Sequence, residues 1–345
     1  MKAICIIGHF GFGKEMLDGQ TVKTKTVTAE LERQLGADQI VKIDTHGGAR
    51  VLPRVILQAY KGFRHCKNII IFPAQNGIRV FAPLCAVLNR HFHRKLHYVV
   101  IGGWLAEFLK EHGRLKKALK QFSGIYVETN TMKQALQTSG LANVVLMPNF
   151  KDIRVLSESE LVYSKGEPYR LCTFSRVTPK KGIEDACRAV MSINSSAGRT
   201  VFALDIYGPI SKEDGAWFAS IRSEFPAYIR YMGAVPYEKS VEVLKDYYAL
   251  LFPTRFYTEG IPGTMLDAYA AGIPVISACW ESFSDIVDEY AVGLGYAFGD
   301  IQDLIRILTD VAESPEVLNA MKPTCIQKAR RYRPEVAAAI LLNHL

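Results

Sequence analysis

Phe252-Pro-Thr-Arg-Phe-Tyr-Thr-Glu259-Gly-Ile-Pro-Gly-Thr-Met-Leu-Asp267-Ala-Tyr-Ala-Ala-Gly-Ile-Pro-Val-Ile276 reads as strand, loop, helix, tight turn and strand in that order. The apolar run ending at Phe252 has the composition of a buried strand, and Met265, Leu266 and Tyr269 recur at helical spacing. Gly272 then turns the chain into a second apolar run. A strand joined to the next strand through a helix is the unit of a parallel sheet covered on both faces. Glu259 falls in the loop and Asp267 about two turns into the helix, which predicts two carboxylates on one side of a cleft. Ionised carboxylates only accept hydrogen bonds, and that suits them to sugar hydroxyls.

The pattern extends in both directions. Tyr169–Phe174, Phe202–Tyr207, Ile229–Tyr231, Ala249–Phe252 and Pro274–Ser277 read as strands of the second half. Ala3–Ile7, Asn68–Phe72, Tyr98–Ile101, Ile125–Val127 and Val144–Met147 read as strands of the first, with helices over Thr21–Leu35 and Gly77–Asn89 between them. Both halves therefore predict a Rossmann-like, doubly wound α/β domain, with ligands at the carboxyl ends of the strands. The polar stretch Asn149–Pro168 marks a linker. The expected domains are residues 1–160, residues 161–330, and a C-terminal helical segment, 331–345, returning to the first domain. A length of 345 residues suits two cores better than one.

Composition removes several classes. Hydrophobic residues make up 49% and charged residues 22%, so neither long disorder nor an integral membrane protein is indicated. The first apolar run, Ala3–Ile7, is too short for a signal peptide or a membrane span. Seven scattered cysteines without a C-x-x-C pair fit a reducing cytoplasm and argue against a disulfide framework or zinc site. The net charge of +8 is divided unevenly: residues 1–160 hold 23 Lys and Arg against 12 acids, residues 161–345 hold 19 against 22. A basic first half predicts an anionic partner.

Between Lys61 and Lys133 there are thirteen Lys or Arg and three acids, concentrated in Arg90–His97 and Arg114–Lys120. In the second of these, Leu115, Ala118 and Leu119 alternate with Lys116, Lys117 and Lys120. Two uses fit: peripheral contact with an anionic membrane, or an ordinary solvated helix packed by its leucines. Nucleic acid is not expected, because no binding module accompanies the charge and the aromatics fall in core-like strands.

After the first strand, Gly8-His-Phe-Gly-Phe-Gly-Lys14-Glu15 fits a phosphate-cradling P-loop except at its last position. There Glu15 replaces the Ser or Thr that holds magnesium, which excludes an ATPase reading. The glycines leave two readings open. They are turn residues with positive φ, or Gly11, Gly13 and Gly19 together bring backbone amides near the Thr21 helix to an anion. In the second half, Ser175-Arg176-Val-Thr-Pro-Lys-Lys181-Gly182 follows a strand and enters a helix. Arg176 and Lys181 at a helix start are placed for charge-assisted hydrogen bonds to a diphosphate, whereas an isolated basic turn would simply be solvated.

These two motifs, in this order and about eighty residues apart, resemble the donor site of retaining glycosyltransferase family 4, the group 1 glycosyltransferases. The resemblance extends to Asp205-Ile-Tyr-Gly208, to Tyr231-Met-Gly233-Ala-Val235 and to the glycine loop ending in Gly19. It implies a GT-B fold, two facing Rossmann-like domains with a cleft between them. It implies transfer of a hexose-type sugar from a nucleotide-sugar donor to a hydroxyl of a glycan or lipid-linked acceptor, in surface polysaccharide or glycolipid synthesis, with no cofactor and no metal. Arg176 and Lys181 would hold the β-phosphate and Glu259 the transferred sugar, these three being catalytic. Asp267 would take the ribose, and Gly13, Gly19, Gly208, Val235, Gly260, Ile261 and Gly263 would complete the donor contacts. Asp267 stands where the family commonly has glutamate, and Pro262 where many members have a glycine with an amide to donate. Gly102-Gly103-Trp104 stands where many have a histidine; His9 is then the nearest candidate, as a ligand or as a structural histidine. A non-catalytic sugar-nucleotide-binding subunit and a sugar-nucleotide epimerase are the alternatives.

Overall fold

The computed structural model describes residues 1–13 and 19–345, and they form two compact units. The first comprises Met1–Asp152 and Pro334–Leu345, the second Ile153–Arg333. The Lys14-Glu15 end of the P-loop-like stretch lies outside the described residues.

In the first unit the strands are β1 (Lys2–Gly8), β2 (Ile40–Asp44), β3 (Cys66–Ile71), β4 (Lys95–Val99), β5 (Gly124–Val127) and β6 (Val144–Leu146). They form one sheet of order β2-β1-β3-β4-β5-β6, parallel throughout. The helices are α1 (Gly19–Leu35), α2 (Leu52–His65), α3 (Gln75–Phe92), α4 (Leu105–Lys110), α5 (Gly113–Leu119) and α6 (Asn130–Thr138). Side chains of β1 alternate between two cores. Cys5 and Ile7 join Val55, Phe63 and Ile78 of α2 and α3, while Ile4 and Ile6 join Val27 and Leu31 of α1. A strand buried on both faces has no polar alternation, which is why the apolar run at the N-terminus was readable as a strand.

The second unit repeats the plan with β7 (Tyr169–Phe174), β8 (Phe202–Tyr207), β9 (Ile229–Gly233), β10 (Ala249–Phe252), β11 (Val275–Ala278) and β12 (Gly293–Tyr296). Their order is β12-β11-β10-β7-β8-β9, again parallel. Its helices are α7 (Ile183–Ala197), α8 (Gly215–Arg222), α9 (Ser240–Leu244), α10 (Gly263–Ala270), α11 (Phe283–Ile286), α12 (Ile301–Glu313) and α13 (Glu316–Ala329). Helices α7 and α12 pack on one face, α9, α10 and α13 on the other. The last helix, α14 (Pro334–Leu342), belongs to the first unit, where Ala337 and Leu341 pack with Val27 and Leu31 of α1. Each half has one strand beyond those read from sequence, β2 and β12.

His97 of β4 is fully buried, with Nδ1 3.0 Å from the Tyr126 hydroxyl and Nε2 3.4 Å from Asn68 Oδ1. Burial, helped by the nearby charges of Lys95 and His344, pulls its pKa down to about 4. The neutral ring is thus the native form. Above the ordinary histidine value of ~6.5 neither state takes a proton, and below it the unfolded chain does so first. Stability from this group is therefore complete above pH ~6.5 and lost as pH falls towards ~4, by on the order of 3 kcal/mol. Denaturant unfolding of His97→Gln beside the parent, at pH values from 7 to ~4, should show a shallower loss for the variant. Parallel curves would refute this account.

Candidate functional site

The carboxyl ends of the strands in the second unit bring both sequence motifs together. After β7 the chain runs through Ser175 and the exposed Arg176, then makes a short helical turn, Pro179–Lys181, whose start is capped by the Thr178 side chain on the Lys180 amide. Gly182 closes that turn at φ 68° and opens α7. After β10 the loop carrying Glu259 folds back onto this turn. The Arg255 amide donates to the Lys180 carbonyl at 2.9 Å, and the Arg255 guanidinium clasps Asp185, in the first turn of α7, with bonds of 2.9 and 2.6 Å. Lys181 and Glu259 form a direct ion pair, with side chains 13% and 17% exposed. The Thr254 hydroxyl donates to Glu259 Oε1 at 3.2 Å, and the Lys181 ammonium lies 5.2 and 5.4 Å from the Phe252 and Phe256 ring centroids. Two residues 78 apart in sequence thus form a charge pair whose cation lies against two aromatic rings.

The neighbouring loops are drawn in by one glycine. At Gly208, φ is 138°, and a Cβ there would stand 1.8 Å from the Ser175 carbonyl oxygen and 3.3 Å from the Arg176 nitrogen. Only a residue without a side chain lets the end of β8 approach Arg176 this closely. The Gly208 amide donates to the Gly233 carbonyl at 2.9 Å, and the Tyr231 hydroxyl to the Gly208 carbonyl at 2.8 Å. Val235 follows β9 half-buried against the core that contains Leu266. Arg176 forms no ion pair among the described residues.

Helix α10 begins at Gly263, with Pro262 as its cap and the Met265 amide donating to the Pro262 carbonyl at 3.0 Å. The amides of Gly260, Gly263 and Thr264 donate to no backbone carbonyl among the turn and loop contacts of the described residues, and the buried Thr264 hydroxyl has no partner there either. Buried polar atoms are rarely left unpaired, so these donors point to an external acceptor. Ile261 is buried in the core. Asp267 departs from the sequence expectation. It stands one turn into α10, not two, is 2% exposed, and accepts a 2.7 Å bond from the Ser240 hydroxyl of α9. An eight-residue helix puts Asp267 at its fifth position, buried where α10 meets α9. Sequence reasoning also passed over Arg255, Thr254 and Asp185. Arg255 lay inside the quoted motif, but its partner stood 70 residues away.

In the first unit, the glycine loop binds an anion supplied by the chain itself. The amides of Phe10, Gly11, Phe12 and His46 all donate to the Asp44 carboxylate, at 2.9, 3.2, 3.1 and 2.9 Å. Burial pushes this carboxyl up, but the four donors outweigh it and hold the pKa below the usual carboxylate range. Gly11 and Gly13 both have positive φ, at 56° and 77°. Gly13 is exposed and Gly19 starts α1. Of the two readings of these glycines, the positive-φ turn fits Gly11 and Gly13, and the anion that Gly11's amide meets is Asp44 at the end of β2. His9 pairs through Nδ1 with Thr21 Oγ1 at 2.7 Å and through Nε2 with His46 Nδ1 at 3.0 Å. It faces a cavity of about 530 Å³ at the ends of β1, β2 and β3. Val51, Leu52, Val55 and Phe81 give that cavity an apolar wall, Gln20, Gln75 and Asn76 a polar one, and no Asp, Glu, Lys or Arg among the described residues lines it.

Residues 168–314 match the family model for glycosyl transferases group 1. The amylovoran biosynthesis glycosyltransferase AmsK of Erwinia amylovora is 24% identical over 151 residues, which take in 43% of this chain and 37% of that protein. Among solved structures, Anabaena HepE in complex with UDP superposes with a TM-score of 0.75 at 13% identity, covering 99% of both chains. The lipopolysaccharide outer core galactosyltransferase WaaB gives 0.71 at 16% identity, covering 100% of this chain and 99% of its own. At such identities the structural likeness speaks to fold, and the family match speaks to the second unit. Through residues 168–314 the chain matches the group 1 glycosyltransferases, and its fold is GT-B.

Proposed function

We propose that the protein is a retaining glycosyltransferase that moves a hexose-type sugar from a nucleotide-sugar donor to a hydroxyl of a glycan or lipid-linked acceptor, in building a surface polysaccharide or glycolipid. The observation that carries this reading is the Lys181–Glu259 pair set beside three unpartnered amides and the orphaned Thr264 hydroxyl at the start of α10. A diphosphate satisfies all of these donors at once, and Glu259, once Lys181 turns to phosphate, is released to accept from sugar hydroxyls. Negative charge grows on the leaving phosphate oxygen as the bond to the sugar breaks. Arg176 and Lys181 stabilise it, each cation in the role a metal would otherwise fill. Asp267 holds α9 against α10 through its bond from Ser240, and the remaining acceptor sites of its carboxylate suit it to ribose hydroxyls. The neutral cavity beside His9 suits an uncharged sugar of the acceptor. The solved relatives bound to UDP and to UDP-glucose make uridine donors the first to try, and AmsK, named for amylovoran biosynthesis, supports a polysaccharide product.

The test is a thermal-shift panel of UDP, GDP, ADP and CMP sugars, followed by NMR assignment of the anomeric configuration of any product. At ligand concentrations of about 100 Kd, the cognate donor adds ~2.7 kcal/mol, or roughly 5–10 °C. A shift with no product leaves a binding subunit, conversion of the donor without acceptor makes an epimerase, and a product of inverted configuration removes the retaining mechanism. No shift with any sugar nucleotide would sink the reading entirely.

A further inference from the structure

From Thr45 to Ala106 there is no Asp or Glu, while nine Lys and Arg occur. This stretch folds as α2, β3, α3 and β4, and the two helices pack side by side, Tyr60 meeting Phe92 edge-on with centroids 5.3 Å apart. Each helix turns one apolar stripe into the core, Val55, Ala59 and Phe63 on α2 and Ile78, Ala82 and Cys85 on α3. Each also carries large apolar side chains that the core does not use. Ile56, Leu57 and Tyr60 of α2 and Val80 and Val87 of α3 are 39%, 58%, 45%, 42% and 59% exposed. At 100° per residue, Val80 and Val87 lie within about 20° of each other on the face of α3 opposite Ile78. Arg54, Lys61, Arg64, Arg79 and Arg90 are exposed around these side chains, and none forms an ion pair among the described residues.

The helix singled out from sequence, α5, does not have this character. Its Leu115, Ala118 and Leu119 are all buried, so it presents cations without apolar side chains. An exposed apolar patch needs a covering, and a rim of unpaired cations with no acid selects an anionic one. Nucleic acid fits poorly, because a phosphate backbone uses the cations but offers nothing to five aliphatic and aromatic side chains. A bilayer interface takes both, the apolar groups among the acyl chains and the cations against acidic headgroups. We propose that the outer face of α2 and α3 docks on an anionic lipid bilayer.

No helix among the described residues is long and apolar enough to cross a membrane, so the contact would be peripheral. Val80 belongs both to this face and to the lining of the cavity beside His9. A surface that reaches the cavity mouth would deliver a lipid-linked acceptor to it without removing the lipid from the membrane. In naming the source of the acceptor, the proposal rests on the reading of this protein as a glycosyltransferase. The docking itself does not.

Flotation of the full chain with vesicles tests it, using neutral phosphatidylcholine alone and the same lipid with about a third phosphatidylglycerol, a strongly anionic surface. The parent should float with the anionic vesicles and not the neutral ones, and salt should weaken it. L57D/V87D and K61E/R64E should each lower partitioning by about tenfold or more. Both pairs are exposed, so the melting temperature and the thermal shift with sugar nucleotide should match the parent. Flotation of L57D/V87D equal to the parent would reduce the face to charge alone and overturn the proposal. So would an absence of flotation, or binding to duplex DNA in its place. A protein that floats as described yet shifts with no sugar nucleotide would keep the docking face and remove the enzymatic reading.

Discussion

Arg176→Ala, Lys181→Ala and Glu259→Ala should each reduce sugar transfer by about 100- to 1000-fold, the range lost when one preorganised charge-stabilising group is removed. Stability separates the three. Arg176 is exposed and makes no ion pair among the described residues, so its loss should leave the melting temperature unchanged while turnover falls. Lys181 and Glu259 are mostly buried and joined to each other. Removing Lys181 leaves the Glu259 carboxylate with the weaker Thr254 hydroxyl, and removing Glu259 strands an ammonium against Phe252 and Phe256, at a cost of about 1–3 kcal/mol in each case. The double substitution should cost less than the sum of the two, because neither charge is then left alone. The informative measurements are turnover and denaturant unfolding on the same four variants. Unchanged turnover in all three single variants would remove the donor site from this position.

Much of the second unit could be read in the sequence because its signals are local. Strands β7, β8 and β10 were delimited to the residue, since each is a largely apolar run between polar turns, with Arg170 in β7 and Asp205 in β8 as the charged exceptions. The missing strands lacked that signal. In β2, Ile40-Val-Lys-Ile-Asp44, the polar Lys42 interrupts the apolar run, as an edge strand allows. In β12, Gly293-Leu-Gly-Tyr296 has two glycines, which argue against a strand on propensity. There the packing decides: a Cβ on Gly293 would lie 2.4 Å from the Val275 carbonyl oxygen, so close sheet pairing demands the residue that local preference disfavours. The site shows the same division. That Lys181 and Glu259 belong to one site followed from motif order. That they bind each other, that Asp185 fastens Arg255, and that Asp44 fills the glycine loop depend on contacts across 78, 70 and about 30 residues, and no local pattern encodes those. The contact of Asp267 with Ser240 was not legible for a related reason: periodicity gives a helical face, but the length of the helix and its neighbour α9 determine what that face meets.

Gly182→Ala should be among the most damaging single substitutions away from the charged groups, lowering the stability of the second unit by about 3–5 kcal/mol. Two costs add. Gly182 has φ 68°, which a residue with a Cβ adopts only at a penalty of about 1 kcal/mol or more. In addition, the new Cβ would lie 1.7 Å from the Pro253 carbonyl oxygen, well inside contact distance, and its neighbour is backbone that cannot rotate away. The loop carrying Thr254 and Arg255 would have to move off the 175–182 turn, breaking the Arg255 amide bond to Lys180 and separating Lys181 from Glu259. Gly215→Ala is the matched control, at the start of α8, with no heavy atom within 4 Å of the added Cβ. That change should be neutral or stabilising by a few tenths of a kcal/mol. Denaturant unfolding of both variants, with donor turnover measured under native conditions, reads the difference. If Gly182→Ala folds with parental stability and turnover, the close approach of the two loops is not what holds Lys181 in place.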